Sequence, residues 1–398
     1  LKWSLIAALT GAIGGFIGMA FHVSVEAVTE IRAVHGWMLY FLPLGGIIIV
    51  ALYKLCNFNK GTDAVISSIR TDDEVPAVMA PLIFVSTVIT HLLGGSAGRE
   101  GAALQIGGSI GAQVGRFLSL DEKDMHLITM CGMSGVFSAL FGTPLTATFF
   151  ALEVTSVGIM YYSALIPCIV SALTAYALTL FCNIEPTHFV LNSVPHISVS
   201  VILQTASIAA LCALLSIIFC TVMHKSEKYL KKFIKNDYLR IVIGGLAIIA
   251  LTLLTGCRDY NGAGMAIIND AVNGAAKPDA FIWKIIFTAI TIGCGYKGGE
   301  IVPTFFIGAT FGCLVAGLLG LDAGFGAALG MVAMFCGVLN CPIASIILSI
   351  ELFGSQGIIL FAVTSAISYM LSGYYGLYGS QKIMYSKLKA EYINQKTK

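Results

Sequence analysis

Nearly uninterrupted apolar runs dominate this chain, at 36–56, 77–94, 127–152, 158–182, 200–223, 240–256, 281–294, 303–321, 324–339, 341–352 and 357–374. A helix that crosses a bilayer needs about 20 apolar residues, and several of these runs are shorter. Glycine interrupts many of them. Inside a membrane every backbone N–H and C=O must find a partner, so short or broken segments survive only where they pack on protein or line a cavity. The composition agrees, with 57% hydrophobic and 11% charged residues, against about 25% charged in an ordinary soluble domain. The reading is an all-α polytopic membrane protein with broken and re-entrant helices. The first segment, 3–21, has no basic region followed by a cleavage site and reads as a structural helix.

The chain carries matched marks on either side of a basic stretch. Ala139-Leu140-Phe141-Gly142-Thr143-Pro144 is followed by Glu153, and Gly337-Val338-Leu339-Asn340-Cys341-Pro342 is followed by Glu351 at the same interval. Gly98-Arg99-Glu100 leads to Ile106-Gly107 and Gly111, while Gly299-Glu300-Ile301 leads to Ile307-Gly308 and Gly312. Two marks in matching order indicate an internal duplication. In transporters such repeats often have inverted topology, with helix N-termini aimed at an anion near the midplane. The division expected from charge is a first transmembrane half over 1–223, a basic cytoplasmic connector over 224–239, a second half over 240–379 and a basic cytoplasmic tail over 380–398. Lys225, Lys228, Lys231, Lys232, Lys235 and Arg240 form the first basic cluster, and Lys382, Lys387, Lys389, Lys396 and Lys398 the second. Both are expected on the cytoplasmic side by the positive-inside rule.

The residues that carry chemistry sit in the turns. Glu100 lies in Gly94-Gly95-Ser96-Ala97-Gly98-Arg99-Glu100-Gly101, at the mouth of an apolar stretch. Ionisable groups at membrane depth usually face an ion path or a proton relay. Glycines admit close backbone approach, and a helix N-terminus favours an anion. A carboxylate there occupies an anion site when ionised and leaves it when protonated. The plainer reading is a capped helix end in which Glu100 pairs with Arg99. Glu300 has the same two readings: a second proton group, or a helix-end charge paired with backbone amides or Lys297. The turn Asn57-Phe58-Asn59-Lys60-Gly61-Thr62-Asp63 is a third polar interruption, for which a loop with a helix cap suffices. Net charge +2 leaves no nucleic-acid footprint. The cysteines show no CxxC pair and read as small core residues, no HExxH motif occurs, and neither metal nor cofactor is expected. An intramembrane enzyme would need a nucleophile–base pair or a metal cluster, and none is visible.

Together these marks resemble the CLC family of chloride channels and anion/proton antiporters. Gly98-Arg99-Glu100-Gly101 is similar to that family's GREGP motif, with Ala102 in place of proline. Gly298-Gly299-Glu300-Ile301-Val302-Pro303 is similar to GGxFxP, and Gly376-Leu377-Tyr378 to the motif of the central pore tyrosine. Beside Tyr374 and Tyr375, Tyr378 also reads as an interfacial belt residue. The chain departs from the chloride transporters at Asn59-Lys60-Gly61-Thr62-Asp63, where a serine turn is usual, at Val154, where a second proton glutamate is usual, and at Glu300, where an apolar residue is usual. These departures resemble the fluoride-specific branch, CLC-F, as does Asn340-Cys341-Pro342-Ile343-Ala344-Ser345. Val302 differs from the threonine or serine often found in that branch.

The resemblance implies a CLC-type fold of two inverted-topology repeats and export of fluoride in exchange for protons. The alternative is a chloride/proton antiporter or a passive anion channel on the same fold. It implies gating and proton transfer by Glu100 and Glu300. It implies an anion path along Gly98, Arg99, Gly101, Gly299, Ile301, Val302, Tyr378, Lys60, Gly61 and Thr62. It further implies a multi-pass protein of the cell membrane with both termini cytoplasmic, assembled as a homodimer with one pathway per subunit.

Overall fold

The computed structural model describes residues 2–71 and 73–398. Its helices run in two successive sets. α1 (Lys2–Val34), α2 (Leu42–Leu55), α3 (Thr62–Ser68), α4 (Met79–Leu92), α5 (Glu100–Phe117), α6 (Glu122–Phe141), α7 (Pro144–Glu153) and α8 (Leu165–Phe181) form the first. α9 (Val199–Phe233), α10 (Asp237–Thr255), α11 (Met265–Val272), α12 (Ala280–Cys294), α13 (Ile301–Leu319), α14 (Ala323–Leu339), α15 (Pro342–Phe353) and α16 (Ile358–Leu371) form the second. The order of long and short helices is the same in both: α1 and α9 have 33 and 35 residues, α3 and α11 have 7 and 8.

This succession moves the seam. It falls in 182–198, between α8 and α9, and not in the basic stretch, so the expected boundaries 1–223, 224–239 and 240–379 shift. Lys225, Lys228, Lys231 and Lys232 ride on the last turns of α9. The physical reason is that Lys and Glu are good helix formers. At 35 residues α9 is about 52 Å long, well beyond the roughly 30 Å of hydrocarbon, so its charged end continues as helix past the apolar layer.

Seven helices among the described residues are long and apolar enough to cross a membrane. Exposed Phe16, Ile166, Leu203 and Leu254 give them an apolar outer surface. The run 127–152 is broken where Gly142 takes φ +71 and Pro144 opens α7. The equivalent break has Asn340 at φ +58 and Pro342 opening α15. Glycine tolerates the left-handed region without penalty and Asn better than most residues, while proline at the first turn loses no hydrogen bond.

The two halves are stitched by reciprocal caps. Both oxygens of Glu153 accept from Ile343 N–H (3.3 Å) and Ala344 N–H (2.8 Å) at the start of α15. Both oxygens of Glu351 accept from Leu145 N–H (2.9 Å) and Thr146 N–H (2.8 Å) at the start of α7. Each acid neutralises orphan amides at the positive end of the other half's helix. Glu153 and Glu351, the matched acids of the repeat, thus cap each other's half. Within each half, glycines let two helices touch backbone to backbone. A Cβ on Gly132 would lie 2.2 Å from Gly107 O, and one on Gly330 would lie 2.0 Å from Gly308 O.

The basic tail 380–398 is folded. β2 (Lys382–Tyr385) pairs antiparallel with β3 (Tyr392–Lys396) and parallel with β1 (Ser156–Val157), a small sheet that the all-α reading did not anticipate. Gln381, fully buried, donates to Val154 O (3.0 Å) and Leu339 O (2.7 Å) and accepts from Asn340 Nδ2 (2.9 Å). Thr397 Oγ1 donates to Tyr378 O at 2.7 Å. The chain end therefore fastens the Tyr378 segment to both halves.

Candidate functional site

Both glycine turns meet at one point. Gly98 N–H donates to Gly299 O at 2.6 Å and Gly299 N–H donates to Gly98 O at 2.7 Å, an antiparallel bridge between the halves. Only glycine permits this approach. A Cβ on Gly299 would fall 2.4 Å from Gly101 N, and one on Gly98 would meet Glu100 Oε2 at 2.6 Å. The bridge aligns the starts of α5 and α13, so their free N–H groups converge where a negative charge is favoured.

Glu100 opens α5 and is 1% exposed. Its Oε2 accepts from Arg99 N–H at 3.0 Å, and the N–H groups of Glu100 itself and of Val302 also face the carboxyl. Arg99 Nε stands 3.7 Å from Oε1, an ion pair without a hydrogen bond. Among the described residues Oε1 has no hydrogen-bond partner. The carboxyl of Glu100 is thus held by amides at the start of α5 and by the N–H of Val302 at the start of α13.

Glu300 is the residue before α13. Its Oε2 lies against Gly101, where a Cβ would meet it at 3.2 Å. Among the described residues no basic side chain lies within 4 Å of it; the Lys297 ammonium stands instead over the Tyr53 ring, 4.4 Å from its centroid. Ile301 and Val302 are buried in the first turn of α13, and a Cβ on Gly98 would meet Val302 Cβ at 3.1 Å.

A cavity of about 640 Å³ reaches Glu300 and Tyr378 from one face of the protein. Thr62, Gln105, His224 and Lys297 also line it. The Tyr378 hydroxyl is buried and has no partner among the described residues, although such a group normally finds one. The turn before α3 splits. Thr62 faces this cavity, with its Oγ1 accepting from Gln105 Nε2 at 3.0 Å. Gly61 borders it, but a Cβ there would meet nothing within 4 Å. Lys60 is exposed and lines a neighbouring pocket with Arg70, Lys382 and Lys396, away from the bridge.

Sequence reading passed over Gln105, Gln381 and His91. Gln105 carried a signal, a polar residue inside the apolar stretch that Glu100 opens. His91 is fully buried, and its Nε2 lies 3.2 Å from Gly98 O; since a carbonyl only accepts, that nitrogen carries the proton. Gln381 gave no signal, because its contacts join segments about 230 residues apart.

The family model described as voltage gated chloride channel matches residues 45–373. The "Chloride/fluoride channel protein" of Pseudomonas syringae pv. tomato is 34% identical over 395 residues, covering 97% of this chain and 87% of that one. The "H(+)/Cl(-) exchange transporter ClcA" of Vibrio cholerae is 23% identical over 421 residues, with coverage of 98% and 89%. Among solved structures, one described as a CLC-type fluoride/proton antiporter superposes with TM-score 0.92 at 30% identity, over 96% of this chain and 97% of the other. A cyanobacterial Cl-/H+ antiporter gives TM-score 0.79 at 17% identity, over 94% of each chain, a likeness of fold alone.

Proposed function

Because the chain belongs to the voltage-gated chloride channel family, we propose that it exchanges fluoride for protons across the membrane, with Glu100 as gate and Glu300 as second proton group. One observation carries this reading. Two buried or half-buried carboxylates flank a glycine bridge, and a buried phenol that has no partner among the described residues, Tyr378, shares a cavity with one of them. The relatives described as handling fluoride support the same choice of anion.

Fluoride holds its water tightly, so a site must replace that water with strong donors. Main-chain N–H groups at the starts of α5 and α13 supply donors without loss of side-chain entropy. Tyr378 supplies an O–H. Ionised, Glu100 competes with fluoride for the amides. Protonated, it becomes a donor and releases them. Glu300 faces the cavity and touches Gly101, so it stands between that water-accessible space and Glu100 as a proton relay. Val154, where chloride exchangers carry an acid, is buried and its carbonyl is taken by Gln381. Gly98, Arg99, Gly101, Gly299, Ile301, Val302, Gly61 and Thr62 line or shape the path, whereas Lys60 lies beside it.

The cavity mouth is the cytoplasmic side in this reading. Lys54, His224 and Lys231 gather there, beside the pocket of Lys60, Lys382 and Lys396, as the positive-inside rule requires. α10 starts at this face with Asp237 and ends near the 256–262 loop. α1 ends beside the same loop, where Gly36 meets Arg258, which supports a start of α1 on the cytoplasmic side with the chain end. The protein works in the cell membrane as a homodimer, each subunit with its own pathway.

Reconstitution in liposomes, read with fluoride and chloride electrodes and a pH dye, tests the proposal. The expected result is fluoride flux at least about tenfold faster than chloride, roughly the discrimination that one strong hydrogen bond gives, together with opposing proton movement. Comparable fluxes would leave a chloride/proton exchanger; anion flux without protons would leave a channel.

A further inference from the structure

Among the described residues, one cation in the lining of the cavity that ends on Glu300 and Tyr378 has no carboxylate beside it. The lining includes Lys54, Lys231, Arg240 and Lys297. Lys54 and Arg240 pair with Asp237, and Lys231 pairs with Glu227. Lys297 is different: among the described residues no carboxylate lies within 4 Å of its ammonium, which rests on the face of Tyr53 at 4.4 Å. A cation over an aromatic ring is held in place electrostatically without being neutralised.

The backbone at Lys297 is also fixed. The preceding Tyr296 is buried, and its hydroxyl lies 2.9 Å from Leu42 O and 3.1 Å from Ile241 O, tying this turn to α2 and α10. Gly295 takes φ +111, which lets the chain leave α12 and double back toward the bridge. The ammonium is thus a positioned, unneutralised charge in the wall of the cavity, three residues before Glu300.

We propose that Lys297 is an anion-docking site at the inner mouth of the pathway, where a small hydrated halide rests before reaching Glu300 and Tyr378. A compact ammonium with three donors suits a hard, strongly hydrated anion. An ammonium with no carboxylate within 4 Å, set in the wall of a low-dielectric cleft, raises the anion concentration beside it, although Asp63 and Glu300 also line that cleft. The ring of Tyr53 holds the ammonium off Glu300, so it attracts the anion without pairing with the proton group. The inference rests on the transport reading above.

The test measures flux against fluoride concentration in liposomes for the wild type, Lys297→Met and Lys297→Arg. In Lys297→Met the KM rises about three- to tenfold, within the range of electrostatic focusing by clefts, while kcat and proton coupling are kept. Lys297→Arg restores the KM. In the wild type an inert salt such as sodium isethionate raises the KM, and this salt effect shrinks in Lys297→Met. An unchanged KM in Lys297→Met, or a fall in kcat or coupling at constant KM, overturns the docking role; the second would make Lys297 a partner of Glu300. A salt-independent KM in the wild type overturns it even where the variants fail to fold. If the wild type carries chloride and not fluoride, the fluoride assignment fails, and the same KM shift read with chloride still decides the role of Lys297.

Discussion

Glu100 has one oxygen held by amides and one with no hydrogen-bond partner among the described residues, and that asymmetry sets what its variants should do. Glutamine keeps the size and one acceptor but cannot release a proton. Glu100→Gln is therefore expected to lower fluoride-driven proton movement by about 10²-fold or more, the scale of a lost proton-transfer group. Glu300→Gln is expected to impair coupled exchange about tenfold or more by the same loss, with the protein still monodisperse on size exclusion. Normal coupled flux in Glu300→Gln, lost instead in Val154→Glu, would make Glu300 a helix-end group only. Tyr378 permits a sharper measurement. A buried hydroxyl without a partner costs about 1–3 kcal/mol, so Tyr378→Phe should raise the melting temperature of the anion-free protein by a few degrees. Fluoride should stabilise this variant less than the wild type, because the donor is gone. A variant less stable without fluoride, yet stabilised by it as well as the wild type, would place the anion elsewhere.

Among the elements, several helices touch through glycines whose backbones leave no room for a side chain. Gly308 and Gly330 bring α13 and α14 into backbone contact, with no room for a methyl group. Gly330→Ala is expected to cost about 1–3 kcal/mol through forced separation of the helices, seen as a lower melting temperature in detergent. The same change at Gly317, where a Cβ would meet nothing within 4 Å, should be neutral or slightly stabilising, since alanine is the better helix former. Equal losses at both sites would refute the packing argument. The helix ends at the glycine turns were legible in the sequence, whereas the reading runs 127–152 through as one segment although the cause of its break, Gly142-Thr143-Pro144, is local. The pairing of Gly98 with Gly299 was legible only as a repeat, since its partners are about 200 residues apart. The hairpin at 382–396 was not legible. Its strands are short and half polar, and it holds through Gln381 and Thr397 reaching segments distant in the chain. The charge run in α9 misled because a lysine-rich solvated face and a linker look alike in composition.

At the scale of the molecule, each half supplies what the other lacks. Glu100 comes from the first and the N–H of Val302 from the second; the cap of α7 is Glu351 and the cap of α15 is Glu153. In the transport reading proposed above, the groups that meet at the glycine bridge all come from one chain. That leads to a specific expectation for the assembled protein. In a homodimer with one pathway per subunit, joining a wild-type subunit to a Glu100→Gln subunit through a flexible linker should leave about half the proton-coupled fluoride flux of the wild-type pair, because independent sites add. The coupling ratio of the remaining flux should equal that of the wild type, since the surviving pathway is intact. Flux near zero would mean that the two gates move together across the interface. Flux near half with altered coupling would mean that the path is shared between subunits. Either result would displace the picture of an exchanger whose working unit is one folded chain, closed by its own two halves.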